Sequence, residues 1–263
     1  MSINALSCVQ SIISKKIAAQ SPIVYTKPLQ PAKLRIWYKF AGNVTNSAPN
    51  YSGSNNGTIV NGSGATNTQI AVSPAISANT SVTTMCTFNG GATSSGAYSF
   101  INLQTISSLT LSDGFTICMF IYSTKTSGGD TYIFALNNPG ISGGTYAGGL
   151  CISQSATSPY NKYVFNNAGT TNAVTLTPNT WVHYAVTINS SNLYNVYLNG
   201  VLTLSNITNP FSYPTATNFT LNSLGSYSPI GPHNTFKGNM ADFRLYNSVL
   251  TAGEITAIYN GTG

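Results

Sequence analysis

Alternating apolar and polar positions divide the chain after residue 33 into short β-strands. Residues 34–40 (LRIWYKF) alternate strictly, with Trp37 on the face opposite the apolar one. Residues 114–122 (GFTICMFIY) carry large apolar side chains on both faces, which predicts a buried central strand. We expect residues 132–136 to pair with it.

Two further alternating runs, residues 192–198 and 201–204, flank the dipeptide Asn199-Gly200. Both residues of this dipeptide tolerate the positive φ that a type I′ turn requires. The pattern therefore predicts a tight β-hairpin.

The last strand pattern covers residues 236–246 (FKGNMADFRLY). Gly238 predicts a bulge or tight bend near its beginning. Asp242 and Arg244 are two residues apart, so they share one face of the predicted strand and balance each other's charge.

A short helix is predicted directly after this strand. Thr251 and Glu254 have capping-box spacing, in which each side chain accepts a hydrogen bond from the other residue's backbone N–H. Gly261 is placed to end the helix.

The composition fits this all-β pattern. Only 5% of the 263 residues are charged, and the chain is rich in Asn, Ser, Thr and Gly. The four cysteines show no C-x-x-C spacing, and Cys118 and Cys151 lie within apolar strand patterns, which predicts free, buried thiols. The two histidines, His183 and His233, form no ligand motif, so we expect neither metal nor cofactor.

The positive charge is concentrated at the N-terminus. Six of the ten basic residues lie within the first forty positions, which contain no acid. We interpret residues 1–33 as a basic arm that binds other protein subunits, and residues 34–263 as the folded domain. The alternatives are an arm that wraps its own domain and a solubilising tail. The residues predicted to contact a partner are Ile3, Leu6, Val9, Ile13, Lys15, Lys16, Ile17, Tyr25, Lys27 and Lys33.

A basic arm suggests docking to an acidic protein, nucleic acid or membrane surface, and of these nucleic acid is not an expected partner. The arm's lysines could contact phosphates, but the arm does not offer the combined aromatic and basic surface on which a dedicated nucleic-acid binder stacks bases. The sequence contains no transmembrane stretch and no convincing signal-peptide core, which favours synthesis in the cytosol.

Acidic residues are too few for most hydrolytic chemistry. Glycoside hydrolysis needs two carboxylates about 5 to 10 Å apart. The only candidate pair is Asp113 with Asp130, because Asp242 faces Arg244 and Glu254 caps a helix. We therefore predict that the chain is not an enzyme.

Glycan binding needs aromatic faces and amide side chains rather than carboxylates. Such residues occur in or beside several predicted loops that can gather at one rim of the domain. The candidates are Asn137, Asn138, Tyr146, Tyr160, Asn166, Asn167, Tyr227 and His233.

Several segments together resemble the laminin-G-like, concanavalin-A-like lectin/glucanase domain, over about residue 34 to the C-terminus. The segments are 181–183 (WVH), 196–200 (VYLNG), 224–225 (LG), 236–238 (FKG), 243–246 (FRLY), Leu250 and 254–255 (EI). The resemblance implies an antiparallel jelly-roll sandwich of two sheets.

Lectins, glycosidases, adhesion modules and structural virion proteins share this fold, so the resemblance implies a function in one of these classes. Many relatives carry an Asp-Ser pair after the first strand, where this chain has Asn46-Ser47, which argues against a calcium site. We interpret the chain as a non-enzymatic structural or attachment protein, a minor capsid- or virion-associated protein of a large DNA virus made in the host cytoplasm. The alternative is a lectin-like carbohydrate-binding module, extracellular or at a cell surface.

Overall fold

The computed structural model describes fifteen ranges or single positions of the chain. These are residues 28–50, 55–62, 69–72, 76, 79–91, 98–107, 109, 113–125, 131–136, 150–155, 162–165, 172–209, 219, 222–227 and 234–263. Within them, the chain forms antiparallel β-strands and one short helix, as the sequence predicts.

The strands form two sheets. Sheet I is built around the long strand β15, which pairs with β1, β4 and β6, and it continues from β6 to β13. Its strands are β1 (Leu34–Tyr38), β3 (Gln69–Val72), β4 (Thr84–Gly91), β6 (Phe115–Ser123), β11 (Val182–Ile188), β12 (Leu193–Leu198), β13 (Val201–Thr208) and β15 (Thr235–Tyr246).

Sheet II has the order β2-β5-β14-β7-β8-β9-β10. Its strands are β2 (Thr58–Asn61), β5 (Ser99–Asn102), β7 (Thr131–Leu136), β8 (Leu150–Gln154), β9 (Lys162–Phe165), β10 (Val174–Thr175) and β14 (Ser223–Leu224). A single parallel pairing, between Thr235 and Tyr132, joins it to sheet I.

The main hydrophobic core lies between the two sheets. Phe243 of sheet I meets Phe134 of sheet II with ring centroids 5.5 Å apart, and Tyr194 meets Phe165 at 5.2 Å. All four rings are buried. The predicted two-sheet antiparallel sandwich is thereby confirmed.

One predicted pairing is wrong. Residues 132–136 were expected to pair with residues 114–122, but the two segments lie in different sheets. Strand β7 pairs with β8 and β14, whereas β6 lies between β15 and β11. Antiparallel partners in a sandwich are often far apart along the chain, so nearness in sequence does not identify them.

The predicted hairpin between β12 and β13 is confirmed. Leu198 pairs with Val201, and Asn199 and Gly200 have φ values of +50° and +78°. Two-residue hairpin turns with positive φ at both residues match the right-handed twist of the strands that they join.

The bulge in β15 lies at Asp242 rather than at Gly238. The register with β6 shifts between Ala241 and Arg244, and Asp242 has a φ of +49°. Gly238, by contrast, stays in register with Phe88 on one side and Ser123 on the other. Its backbone passes so close to the carbonyl of Tyr122 that no side chain fits, which explains the glycine without a bulge.

Helix α1 (Ala252–Tyr259) has the predicted capping box. The Thr251 hydroxyl accepts from the backbone N–H of Glu254, and the Glu254 carboxylate accepts from the backbone N–H of Thr251 at 2.8 Å. Ile255 and Ile258 pack on the outer face of sheet I against Cys118 and Ala185. That outer face is therefore a second, smaller apolar layer.

The residues just before β1 pack on this helix. Leu29 is buried in the same apolar cluster, and Gln30 Nε2 donates to Glu254 Oε1 at 2.7 Å. Lys33 is exposed, and its backbone N–H donates to the Gln30 carbonyl. The other predicted arm contacts lie outside the described residues, so the division into residues 1–33 and 34–263 stays a prediction.

Three of the four cysteines are free and buried, as predicted: Cys86, Cys118 and Cys151. Burial raises the pKa of each thiol to about 12. Such thiols stay protonated and unreactive at neutral pH. Cys8 lies outside the described residues.

Candidate functional site

A cavity of about 270 Å³ opens on the outer face of sheet I, where β1 and β15 lie side by side. We call it the Trp37 cavity. Its aromatic and polar lining includes Trp37, Lys39, Ser81, Thr83, Asp242 and Arg244.

The alternation of β1 places Trp37 and Lys39 at the cavity. Ile36 and Tyr38 point into the main core, so the residues between and after them face outward. Asn46 fixes this strand from the side, because its Oδ1 accepts from the Trp37 backbone N–H at 2.9 Å and its Nδ2 donates to the Arg35 carbonyl at 2.8 Å.

The bulge in β15 places Asp242 and Arg244 on the same outer face. Before the bulge, Met240 points into the core, and after it Phe243 does, so one extra residue reverses the alternation. Without this extra residue, the register of Met240 would direct Asp242 and Arg244 into the apolar core.

Asp242 and Arg244 form a buried ion pair. Arg244 Nη2 lies 2.9 Å from Asp242 Oδ2, and Arg244 Nε lies 3.1 Å from each carboxylate oxygen. Burial works against the charged guanidinium, but the charge of Asp242, its hydrogen bond and the nearby Tyr246 and Cys118 together outweigh burial, and the pKa of Arg244 is raised. The pair is therefore charged and internally neutralised.

The indole ring of Trp37 connects this pair with a lysine. Its Nε1–H donates to Asp242 Oδ1 at 2.6 Å. The Lys39 ammonium lies 4.0 Å from the ring centroid and the Arg244 guanidinium carbon 4.7 Å from it. Both distances fall within the range of cation–π attraction.

Hydroxyl groups and backbone complete the cavity. Thr84 Oγ1 donates to the Lys39 carbonyl at 2.6 Å, which holds the base of the lysine side chain. Arg244 Nη1 donates to the backbone oxygen of Gly263 at 3.1 Å. Ser81 and Thr83 are exposed at the opening.

A family comparison identifies the domain. The model described as the Concanavalin A-like lectin/glucanases superfamily, Laminin_G_3, matches residues 94–256, which is more than half of the chain. The chain belongs to this family. The matched span contains Asp242 and Arg244 but not Trp37 and Lys39, so the laminin-G-like domain completes the cavity with a strand outside that span.

Solved structures share the fold of this laminin-G-like domain. Domain 4 of AbnA, a GH43 extracellular arabinanase from Geobacillus stearothermophilus solved in complex with arabinotriose, matches with a TM-score of 0.56 and 20% identity. The match covers 86% of this chain and 98% of that one.

Two larger proteins match at lower identity. The binding domain of botulinum neurotoxin DC, in complex with rat synaptotagmin II, has a TM-score of 0.57 and 13% identity, over 89% of this chain and 52% of that one. Trypanosoma rangeli sialidase, in complex with 2,3-difluorosialic acid, has a TM-score of 0.60 and 12% identity, over 97% of this chain and 38% of that one. The laminin-G-like domain thus spans about half the length of the neurotoxin domain and less of the sialidase. None of the curated proteins compared with the chain matches it in sequence.

The structure describes one residue of the predicted glycan-binding rim, Tyr227, and it does not line the Trp37 cavity. Tyr227 is half-buried against Tyr132, with ring centroids 5.0 Å apart, in an apolar cluster of sheet II. The other predicted rim residues lie outside the described residues: Asn137, Asn138, Tyr146, Tyr160, Asn166, Asn167 and His233. The rim stays a prediction.

The sequence contained a signal for the cavity that sequence reasoning did not use. Trp37 is one of only two tryptophans, and the alternation of β1 already directs it away from the core. The sequence predicts that Asp242 and Arg244 share a strand face, but it indicates only a structural role for them. Lys39 belongs to the basic N-terminal region, and no sequence motif groups it with a site.

His183 is buried, and the described residues give neither ring nitrogen a hydrogen-bond partner. Its ring lies 4.9 Å from that of Phe120 and 6.0 Å from that of Tyr259. Burial lowers the pKa of His183 to about 3, although the Asp242 carboxylate opposes this shift. The imidazole is therefore neutral at physiological pH.

The structure describes one residue of the candidate carboxylate pair. Asp113 is exposed, whereas Asp130 lies outside the described residues, so their separation stays open. Among the residues that the structure describes, no three His, Cys, Asp or Glu side chains cluster as metal ligands would. Within that same part of the chain, no helix is long and apolar enough to cross a membrane.

Proposed function

We propose that the chain is a non-catalytic carbohydrate-binding module and that the Trp37 cavity is its sugar site. The observation that carries the proposal is the half-buried indole ring of Trp37, held in a cavity that charged and hydroxyl-bearing side chains line together with Pro28, Ala41, Val82 and two glycines. Sugars present apolar C–H faces that pack on aromatic rings and hydroxyl groups that need polar partners. This lining offers both.

The size of the cavity fits a small saccharide. Pockets for drug-sized ligands enclose about 300 to 1,000 Å³. At about 270 Å³, the Trp37 cavity suits one sugar ring, with further rings extending over the exposed Ser81 and Thr83.

The charges support binding rather than hydrolysis. Glycoside hydrolysis needs two carboxylates with different protonation states. Asp242 is the one carboxylate among the described residues of the cavity, and its oxygens already accept from Trp37 Nε1, Arg244 Nε and Arg244 Nη2. A carboxylate so fully paired is a poor proton donor or nucleophile.

The related structures support the proposal as precedents for the fold. The arabinanase domain was solved with arabinotriose and the neurotoxin domain with a protein, rat synaptotagmin II. Both kinds of partner are therefore compatible with this fold, and the composition of the cavity favours the sugar.

An attachment role follows if the arm anchors the domain elsewhere. The sequence-based prediction is that residues 1–33 bind other subunits of an assembly, a virion in that interpretation. Because Leu29 and Gln30 pack on helix α1, a deletion should end at Lys27 so that these contacts remain. Normal occupancy of the truncated chain in its assembly would contradict the anchoring role.

Glycan-array screening of the full chain, followed by titration calorimetry, tests the sugar site. We expect saturable binding that Trp37→Ala reduces at least tenfold and that Trp37→Phe, which keeps a ring, largely retains. Tyr122→Ala is the matched control, because Tyr122 is a half-buried aromatic residue outside the cavity that packs on Trp181.

Two outcomes would contradict the proposal. Absence of saturable binding to any saccharide would remove the carbohydrate function. Binding that survives Trp37→Ala but is lost in Tyr227→Ala would move the site to the predicted loop rim.

A further inference from the structure

We infer that the Trp37 cavity selects an acidic saccharide and that Lys39 binds its anionic group. This inference rests on the proposed carbohydrate function and adds the class of ligand. Its basis is the ammonium of Lys39, for which the described residues supply no acidic partner.

The side chains of the Trp37 cavity include two bases and one acid. Its charged side chains are Lys39, Asp242 and Arg244. Arg244 and Asp242 neutralise each other at 2.9 Å, and both are almost completely buried. Lys39 has no carboxylate within ion-pair distance among the described residues. An anionic ligand would therefore meet a lysine that still needs a counter-ion.

Gly263 also lines the cavity, and its backbone oxygen accepts from Arg244 Nη1 at 3.1 Å. The chain has no acidic residue before Asp113 and a net charge of +6, so the long-range field also attracts anions.

Lys39 can reach a ligand without disturbing the fold. Its side chain is exposed, while its backbone carbonyl is held by Thr84 Oγ1. The contact of its ammonium with the indole ring is a weak attraction at an exposed site. A ligand anion can draw the ammonium off the ring, and the uncovered ring face then becomes available to the sugar.

The anion can be a carboxylate or a sulfate ester, which share charge and oxygen acceptors. A neutral sugar would leave Lys39 without a counter-ion and gain only the ring and hydroxyl contacts.

Calorimetry with three probes tests the inference: trigalacturonate, its methyl ester and galactose 6-sulfate. We expect trigalacturonate or the sulfate to bind at least tenfold more tightly than the ester, with affinity falling as sodium chloride is raised. Preference for trigalacturonate assigns a carboxylate ligand, and preference for galactose 6-sulfate assigns a sulfate. Equal affinity for the acid, the ester and the sulfate would overturn the inference.

Variants separate this inference from the proposed function. Lys39→Gln should reduce binding of the acidic probe about tenfold and leave the ester unchanged, while Lys39→Arg should keep the preference. Lys237→Gln, at an exposed lysine outside the cavity, is the matched control. If Trp37→Ala abolishes binding but Lys39→Gln has no effect, only the acidic preference fails. If Trp37→Ala has no effect on any probe, the sugar site itself is wrong.

Discussion

The indole N–H of Trp37 donates a 2.6 Å hydrogen bond to Oδ1 of Asp242, across 205 positions of the sequence. This bond joins the first strand of the domain to the last. Asp242 occupies a left-handed backbone conformation, with φ at +49°, which is uncommon for a residue other than glycine. The bulge, the ion pair and the cavity wall thus share one residue.

Asp242→Asn should destabilise the domain by about 3 kcal/mol, measured by urea unfolding at pH 7. Asparagine tolerates the same positive φ, so the backbone is unchanged, but the charge is lost and one acceptor oxygen becomes an NH2 donor. Arg244 would then be a buried cation without its partner, which is the costly half of a broken ion pair.

Asp113→Asn is the control for this experiment. Asp113 is an exposed acid, so we expect its substitution to change the free energy of unfolding by less than about 0.5 kcal/mol. Similar effects of the two substitutions would show that the buried pair contributes nothing specific.

The elements that depend on local pattern could be predicted from the sequence. The alternation of residues 34–40, the Asn199-Gly200 turn and the Thr251 capping box each involve groups within a few positions of one another. Their physical causes, the period of a strand, positive φ and hydrogen bonding at a helix end, are all readable over such short distances.

The pairing of distant strands could not be predicted in the same way. Strands β6 and β7 are neighbours in sequence yet lie in different sheets, because each finds its partners among strands from other parts of the chain. Nothing local in either strand determines which sheet it joins.

The bulge at Asp242 was within reach of sequence reasoning. Met240 and Phe243 both point into the core although they are three positions apart, and a regular strand allows only even separations. That spacing marks an extra residue between them, whereas Gly238 drew attention only because glycines are common at bulges. The bulge and Trp37 lie on two different strands, β15 and β1. The cavity residues could not be grouped from the sequence, because the pairing register of these two strands is not visible in it.

Gly238→Ala should destabilise the domain by more than about 3 kcal/mol, as measured by thermal and urea unfolding. Gly238 has a φ of +146°, and a Cβ there would collide with the carbonyl of Tyr122 and lie 2.9 Å from Cζ of Phe236. Because those groups belong to paired strands, they cannot move aside without breaking the sheet.

Gly253→Ala makes the same chemical change where there is space. Gly253 lies in helix α1, and a Cβ there meets nothing within 4 Å. We expect this variant to be more stable by about 0.5 to 1 kcal/mol, because alanine favours the helix. Destabilisation by both variants would argue against the close approach at Gly238.

Asn46→Asp should destabilise the domain by about 1 to 3 kcal/mol, and calcium should not restore it. Asn46 Nδ2 donates to the Arg35 carbonyl at 2.8 Å, and a carboxylate has no hydrogen to donate. The substitution recreates the Asp-Ser pair of many relatives, yet it would set a carboxylate oxygen against a carbonyl oxygen.

Differential scanning fluorimetry with and without calcium chloride measures both effects. Asn43→Asp is the matched control, because Asn43 Oδ1 only accepts, from the Thr45 backbone N–H at 3.0 Å, and a carboxylate accepts equally well. A rise in melting temperature on adding calcium to Asn46→Asp alone would indicate that this position can still hold the ion.

His183 should make the domain less stable as the pH falls below about 6.5. Burial lowers its folded-state pKa to about 3, against an ordinary value of 6.5, so between these values the unfolded chain binds the proton and the folded chain does not. The stability that the neutral imidazole contributes is therefore complete above pH 6.5. It decreases as the pH falls from 6.5 and is fully lost once the pH has passed through 3. At pH 4.5, two units below the ordinary value, the loss is about 2.5 kcal/mol.

His183→Leu isolates this contribution from that of the acids. Phe120 and Tyr259 surround the ring with apolar surface, Asp242 and Arg244 are the charged groups that act on it, and both ring nitrogens lack hydrogen-bond partners. Leucine should therefore cost little at pH 7. We expect the free energy of unfolding, measured by urea titration from pH 7.5 to 4, to fall less steeply in the variant than in the wild type. Parallel curves for the two proteins would mean that His183 does not titrate on unfolding in this range.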